Sequence, residues 1–327
     1  MALYIAEIVT IVRHKKFHKS SFYALFVVRA IPDLLYVLNS FYGMRLPVII
    51  GAVLYPIYSK FPNWMLVMFF FLGGHTLQAN NLVTAFILLN RLTAIAMPTK
   101  HEKIWQHFVP FITILVYFMP TLFCCPAFKI DAILILNDPN STTDRSFFVV
   151  NDGDETYAFY LIFISAVFSL IFLILCVLLN ICTFVAYKLH MKKVRTNENN
   201  FDDVEKKLLF YALATFLGHT LVTSMFLIYI ITDSKTQAML IVYYPLIMDT
   251  GTVVLSSWLL LWASGTFRQQ LIKDFAIIRI TNIQNIRVHA IAGPRNNNHR
   301  PVGGAVRHQL QTRFSSSVQQ QLPAILT

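Results

Sequence analysis

The sequence predicts an all-α polytopic membrane protein, folded as a bundle of membrane-spanning helices. Hydrophobic residues make up 56% of its 327 residues, charged residues only 13%, and 28 residues are phenylalanine. The mean hydropathy is +0.57. A soluble domain carries about 25% charged residues. A soluble core of this size could not bury so much apolar surface. The length of the apolar runs indicates instead that they lie in a bilayer.

Six apolar runs have the roughly 20 residues that a helix needs to cross a hydrocarbon core of about 30 Å. They are residues 21–43, 64–89, 108–128, 157–187, 207–231 and 238–263. A seventh run, 1–12, extends about 18 Å as a helix, and Glu7 interrupts it. We expect it to be an incomplete first helix, a span whose N-terminal half is missing from this chain; a short interfacial segment is the alternative. Residues 1–263 thus form the predicted bundle, and the short run Leu46–Tyr58 is expected to be an outer loop.

The positive charges predict the orientation of the bundle. Loops 13–19, 91–103 and 188–207 carry four, three and six Lys or Arg residues, and the tail after Ala263 carries eight. The loops between them carry two, two and one. By the positive-inside rule, the first group and the C-terminus are cytosolic. The net charge of +11 is therefore an orientation signal, and we expect no nucleic-acid partner. The outer loop 129–156 contains a sequon at Asn140, a predicted glycosylation site.

Arg29 and Asp33 lie four residues apart in the first long span, on one helix face. Because charged groups inside a membrane are costly unless they are neutralised, we expect an intramembrane ion pair. A role in ligand binding or conformational switching is the alternative. Pro32 lacks a backbone N–H, which should leave the carbonyl of Val28 without its helical partner.

Other polar residues in the spans are candidate ligand contacts: His75, Gln78, His219 and Asp249. Hydrogen bonding between helices explains such residues equally well, and Asp249 could pair with Arg29 across the bundle. Two separate histidines do not indicate a metal site. No catalytic constellation, cofactor motif or phosphate-binding loop is found, so we predict no enzyme activity and no cofactor.

The C-terminal region divides into two parts. Phe267, Leu271, Phe275 and Ile278 recur at helical spacing with basic residues between them, which predicts an amphipathic membrane-surface helix over residues 264–284. Residues 285–327 are rich in Asn, Gln, Ser and Arg and are expected to be a disordered cytosolic tail.

The most specific motifs lie at the inner ends of the spans. Asn90–Arg91–Leu92–Thr93 precedes Met97–Pro98 and the segment His101–Glu102–Lys103–Ile104–Trp105. With Ser21–Phe22–Tyr23 and Tyr36–Phe41, these motifs resemble the nematode serpentine receptors, in particular class gamma and its relatives such as class V. The likeness extends in general character over residues 17–275.

The resemblance implies a seven-transmembrane G-protein-coupled-type chemoreceptor in the plasma membrane of sensory neurons. Its partners would be a small environmental or pheromone-like ligand and a heterotrimeric G protein. The expected cytosolic switch comprises these residues: Asn90, Arg91, His101, Glu102, Lys103 and Trp105.

Arg91 alone matches the acidic-Arg-aromatic triplet of rhodopsin-like receptors. Asn90 replaces the acid, so an acid–arginine lock cannot operate in the same form, and Arg91 could instead simply anchor the helix at the lipid phosphates. Two other functions stay open on the sequence: a small-solute transporter or channel subunit, supported by the charged residues within spans, and a receptor-like protein that does not signal.

Overall fold

The computed structural model describes residues 1–137, 146–152, 155–194, 199–232, 243, 246–247 and 249–275. Within them the chain is almost entirely helical, and Met1–Asp274 forms one compact unit. The predicted tail 285–327, Asn140 and most of residues 233–248 lie outside the described residues.

Four helical stretches of the described chain are long and apolar enough to cross a membrane. They are Ser21–Ile49, Asn63–Ala96, His101–Lys129 and Phe159–Leu189. The helices that build the bundle are α1 (Ala2–Arg13), α2 (Lys15–His18), α3 (Ser21–Ser40), α4 (Leu46–Ile49), α5 (Gly51–Tyr58), α6 (Asn63–Ala96), α7 (His101–Cys124), α8 (Glu155–Val194), α9 (Asn199–Ile231) and α10 (Leu255–Ala263). A further helix occupies residues 265–275, which we call the C-terminal helix.

Helix α6 lies at the centre of the bundle, because it packs against α3, α7, α8 and α9. Its middle is buried on every side, with Leu77, Ala79, Leu82 and Val83 in the main hydrophobic core. A helix surrounded by others needs no polar face. It can therefore carry the buried polar residues that the sequence places in this span.

The helices extend beyond the apolar runs that predict them. Helix α6 continues to Ala96 and α7 begins at His101, so the intervening turn is only Met97–Lys100. The predicted cytosolic loop 91–103 is thus mostly helix. Hydropathy detects only the part of a helix in hydrocarbon, whereas backbone hydrogen bonding continues into the polar headgroup region.

The end of the bundle that the charges predict to be outer holds a β-hairpin, which the all-α prediction did not include. Strands β1 (Ala132–Leu136) and β2 (Phe147–Asn151) pair antiparallel, with Ala132 opposite Asn151. Asn63 anchors the hairpin to the start of α6, because its Nδ2 donates to the Ile130 carbonyl and its Oδ1 accepts from the Ala132 amide. Phe147 is fully buried and makes edge contacts with Tyr55 and Tyr58 of α5. The predicted outer loop Leu46–Tyr58 is itself helical.

Pro32 has the effect expected from the sequence. The carbonyl of Val28 accepts a 2.7 Å hydrogen bond from the hydroxyl of Tyr117 in α7. Because Pro32 cannot donate to this carbonyl, a side chain of a neighbouring helix takes its place, as is common for proline in membrane helices.

The last span contains a π-helical segment, Asp249–Val254, directly before α10. Gly251 in this segment crosses Gly218 of α9 so closely that a Cβ atom added at Gly218 would lie 2.7 Å from the Gly251 carbonyl oxygen. Any larger residue at Gly218 would push the two helices apart. Such π-helical segments often occur at functional sites.

At the inner end, the C-terminal helix packs against protein. Phe267 is fully buried, with its ring 5.3 Å from Phe17 and 5.7 Å from Tyr23 between centroids. Leu271 is also buried, whereas Ile272 and Phe275 are exposed. The face that the sequence assigns to the membrane surface is therefore partly a contact face with α2 and α3; residues 276–284 lie outside the described residues.

Candidate functional site

Asn90 is the centre of a hydrogen-bonded cluster at the inner end of the bundle. Its Oδ1 accepts a 2.8 Å hydrogen bond from Arg91 Nη2, since a guanidinium only donates. Its Nδ2 donates to Ser21 Oγ at 2.9 Å and to His101 Nε2 at 3.0 Å. One buried amide thereby joins the start of α3, the end of α6 and the start of α7.

This arrangement determines the protonation of His101. Because Nε2 accepts from Asn90, the imidazole is neutral and carries its proton on Nδ1. That nitrogen lies 3.8 Å from Glu102 Oε1. The other oxygen of Glu102 accepts a 3.1 Å hydrogen bond from the Ser21 amide, so Glu102 caps the first turn of α3.

Arg91 is 5% exposed and stacks on an aromatic ring. Its Cζ lies 4.5 Å from the centroid of Phe22, a cation–π contact. Phe22 also contacts Tyr211 of α9, whose ring centroid lies 5.2 Å away at nearly a right angle. Phe22 therefore connects Arg91 to α9.

Trp105 completes the group by donating from Nε1 to Thr93 Oγ1 at 2.8 Å. We call the buried residues Ser21, Phe22, Asn90, Arg91, His101 and Trp105 the cytosolic cluster, after the side of the membrane that the charges predict for them. The structure thus brings together five of the six predicted switch residues, with Glu102 at the edge. Lys103 is exposed on α7.

Comparison with known proteins identifies the family. A family model described as the Srg family chemoreceptor matches residues 1–271, most of the chain. The chain belongs to the Srg family of chemoreceptors. Serpentine receptor class gamma-15 of Caenorhabditis elegans is similar to this Srg chain, with 28% identity over 122 residues. That alignment covers 36% of the Srg chain and 38% of the C. elegans protein, well under two thirds of its length.

Family membership confirms the resemblance seen in the sequence and the fold class. The Srg family is a family of seven-transmembrane receptors, and this chain is an integral membrane protein of the serpentine chemosensory type. Membership of this family favours a receptor over an enzyme.

A second set of polar residues lies deep in the Srg bundle. Arg29 Nε is 3.5 Å from Asp33 Oδ2, and both side chains are fully buried. Asp33 Oδ2 also accepts a 2.7 Å hydrogen bond from the hydroxyl of Tyr4 in α1. We call this set the core polar group; its members are Tyr4, Glu7, Arg29, Asp33, Asn80 and Tyr211, all fully buried.

The predicted ligand contacts are distributed over different helices. His75 Nε2 lies 3.3 Å from the Tyr117 carbonyl of α7, and Gln78 Nε2 donates to Ser165 Oγ of α8 at 3.4 Å. Asp249 pairs with Arg45, at the end of the first long span, and not with Arg29 as the sequence also allowed. The side chain of His219 lies outside the described residues.

A third polar contact set lies at the inner surface. His14 Nε2 is 2.9 Å from Asp274 Oδ2, and Gln270 Nε2 donates to Asp274 Oδ1 at 3.0 Å. Burial alone would raise the pKa of the Asp274 carboxyl, but the hydrogen bonds from His14 and Gln270 outweigh burial and hold it below its usual range. We call these three residues the inner latch, since they fasten the C-terminal helix to the chain after α1.

Several of these residues were not found from the sequence. Tyr4 is an aromatic residue in an apolar run, and nothing in its local pattern distinguishes a polar contact from ordinary packing. Phe22 belongs to a motif that indicated the family, but its contact with Arg91 was not predicted. Ser21 had one usable signal, because it directly follows the basic first loop at the start of a span. Among the described residues, no group of three or more His, Cys, Asp or Glu side chains is arranged to hold a metal.

Proposed function

We propose that this Srg chemoreceptor transmits the binding of a small ligand to a heterotrimeric G protein at the plasma membrane, and that the cytosolic cluster is its switch. The observation that carries the proposal is the position of Asn90. Its amide supplies Arg91 with the acceptor that an acid supplies in rhodopsin-like receptors, and it binds two other helices at the same time.

The contacts of Phe22 support a route from the bundle to Arg91. Phe22 contacts both Arg91 and Tyr211 of α9. A displacement of α9 would therefore move the Phe22 ring on which the Arg91 guanidinium stacks, and would free that guanidinium to bind a cytosolic partner. A ligand drives this change only as far as it binds the displaced arrangement more tightly.

His75 and Gln78 remain proposed ligand contacts. His75 Nδ1 and Gln78 Oε1 are buried and have no hydrogen-bond partner among the described residues. Buried polar atoms of this kind bind a ligand's polar groups strongly, because the alternative is an unsatisfied group. Asp249 and His219 stay proposals on their sequence positions alone.

The proposed orientation places Asn90 and the C-terminus in the cytosol and Asn140 outside. The distribution of Lys and Arg residues supports it. Glycosylation of Asn140 would test the orientation independently, since only the outer face meets the modifying enzymes.

The decisive experiment is guanine-nucleotide exchange on G proteins by the receptor reconstituted in nanodiscs, comparing the wild type with Arg91→Ala. We expect Arg91→Ala to lose exchange while folding normally. Lys100→Ala is the matched control, because Lys100 is an exposed cation in the turn that follows the helix of Arg91. If Arg91→Ala and the wild type stimulate exchange equally, the proposed switch is wrong. Solute flux into liposomes without exchange would support a transporter instead.

A further inference from the structure

Glu7 is a carboxylate inside the membrane bundle that the proposed switch does not use. It lies on the face of α1 that also buries Tyr4 and Ile11, and it is 0% exposed. Neither of its oxygens has a hydrogen-bond partner among the described residues. An isolated carboxylate in an apolar interior is too costly to stay charged without a counter-charge.

Two hydroxyl-bearing residues of neighbouring helices lie close to Glu7. Ser257 of α10 lies beside the carboxyl group, though outside hydrogen-bond geometry, and Tyr211 of α9 lies close enough to interact with it electrostatically. The hydroxyls of Tyr211 and Ser257 are buried and also lack partners in the described part of the chain. Helix α1 packs directly against α10.

Among the described residues, no Lys, Arg or His side chain forms an ion pair with Glu7. Arg29, the basic residue of the same core polar group, has its Nε 3.5 Å from Asp33 Oδ2. The seam between α1 and α10 therefore contains one negative charge and several unpartnered oxygens.

We propose that Glu7 and the hydroxyls of the α1–α10 seam bind one monovalent cation, H⁺ or Na⁺. A single carboxylate matches a single positive charge, and carboxylate and hydroxyl oxygens are the ligands that hard cations prefer. A bound proton would lie on Glu7, which could then donate to a neighbouring hydroxyl. A sodium ion would sit between the carboxylate and the same hydroxyls. The site is independent of whether the receptor couples to a G protein.

The test is the apparent melting temperature of the full chain in nanodiscs, followed by tryptophan fluorescence. Two series are measured: pH at constant salt, and Na⁺ replaced by N-methyl-D-glucamine at constant ionic strength and pH. A ligand that binds only the folded state raises its stability. We expect the wild type to lose about 2–4 °C either as pH rises, when H⁺ is the cation, or as Na⁺ is removed. Glu7→Gln should show neither loss, and the exposed control Asp152→Asn should behave like the wild type.

A measurement on the wild type alone decides the case if Glu7→Gln does not fold. A protonated Glu7 produces the infrared carbonyl band of a carboxylic acid near neutral pH, and ¹³C labelling of glutamate shifts that band. The band without a Na⁺ effect identifies H⁺, and a Na⁺ effect without the band identifies Na⁺. If neither is found, or if Glu7→Gln retains the full pH and Na⁺ dependence, the proposed site does not exist.

Discussion

The cytosolic cluster and the core polar group are both buried and polar, but they differ in how completely their groups are paired. In the cytosolic cluster, Asn90 uses both ends of its amide, and Ser21, His101 and Trp105 each form a hydrogen bond. In the core polar group, Tyr4 donates to Asp33, but Glu7, Asn80 and the Tyr211 hydroxyl have unpartnered atoms among the described residues.

The difference indicates that the cytosolic cluster holds one arrangement of the helices, whereas the core polar group allows more than one. A more completely paired network favours one arrangement, because a displacement breaks more of its bonds. Incompletely paired groups leave room for a second arrangement of similar energy, so the core polar group is where we expect the helices to rearrange. That rearrangement would in turn change the contacts of the cytosolic cluster.

The largest effect is expected from removing one charge of the buried ion pair. Arg29→Met leaves Asp33 charged or forces it to take up a proton, and should lower the free energy of unfolding by about 3–5 kcal/mol. The double variant Arg29→Met/Asp33→Leu should recover most of that loss, because no buried charge remains. Unfolding in bicelles measures both. A single variant that costs less than the double variant would contradict the pairing.

The second largest effect is expected from replacing Asn90, the centre of the cytosolic cluster. Asn90→Leu has a similar volume but removes the acceptor of Arg91 and the donor to Ser21 and His101, and should cost about 2–3 kcal/mol. Asn90→Asp keeps the acceptor and loses the donors. We therefore expect Asn90→Asp to fall between the wild type and Asn90→Leu in unfolding experiments. Equal stability of all three would mean that the network contributes nothing.

A pair of hydroxyl deletions sharpens the comparison within the core polar group. Tyr4→Phe removes a 2.7 Å hydrogen bond to Asp33 and should cost about 1–2 kcal/mol. Tyr211→Phe removes a hydroxyl without a partner in the described chain and should change stability by less than about 0.5 kcal/mol. The two are matched in chemistry and burial. If Tyr211→Phe is the more damaging, its hydroxyl is bonded and the distinction between the two regions is weaker.

The smallest effect concerns the inner latch, which lies outside both regions. The pKa of Asp274 is lowered in the folded state. The stability that its carboxylate contributes is therefore fully present above the ordinary carboxyl pKa of about 4, and is lost as the pH falls through the pKa of the folded state. Acidification should therefore reduce hydrogen-exchange protection of residues 265–275. Asp274→Asn should abolish this pH dependence at a cost of about 0.2–1 kcal/mol at neutral pH. Unchanged pH dependence in Asp274→Asn would show that another group is responsible.

Much of the architecture follows from the sequence because it depends on local composition. Apolar length predicts the spans, since lipid leaves the backbone no other partner than its own helix. Residue spacing predicts the proximity of Arg29 and Asp33, which share a helix face. The freed Val28 carbonyl follows from Pro32 alone. The motif from Asn90 to Trp105 was sufficient to suggest the family.

The contacts between helices were decided only by the tertiary structure. The sequence could not show that Arg45, and not Arg29, faces Asp249, or that the hydroxyl of Tyr117 reaches Val28. Nor could it show that Phe267 turns towards Phe17 and not towards lipid. In each case several partners are chemically equivalent. The choice among them depends on how the helices rotate and cross, which is a property of the packed bundle and of no single segment.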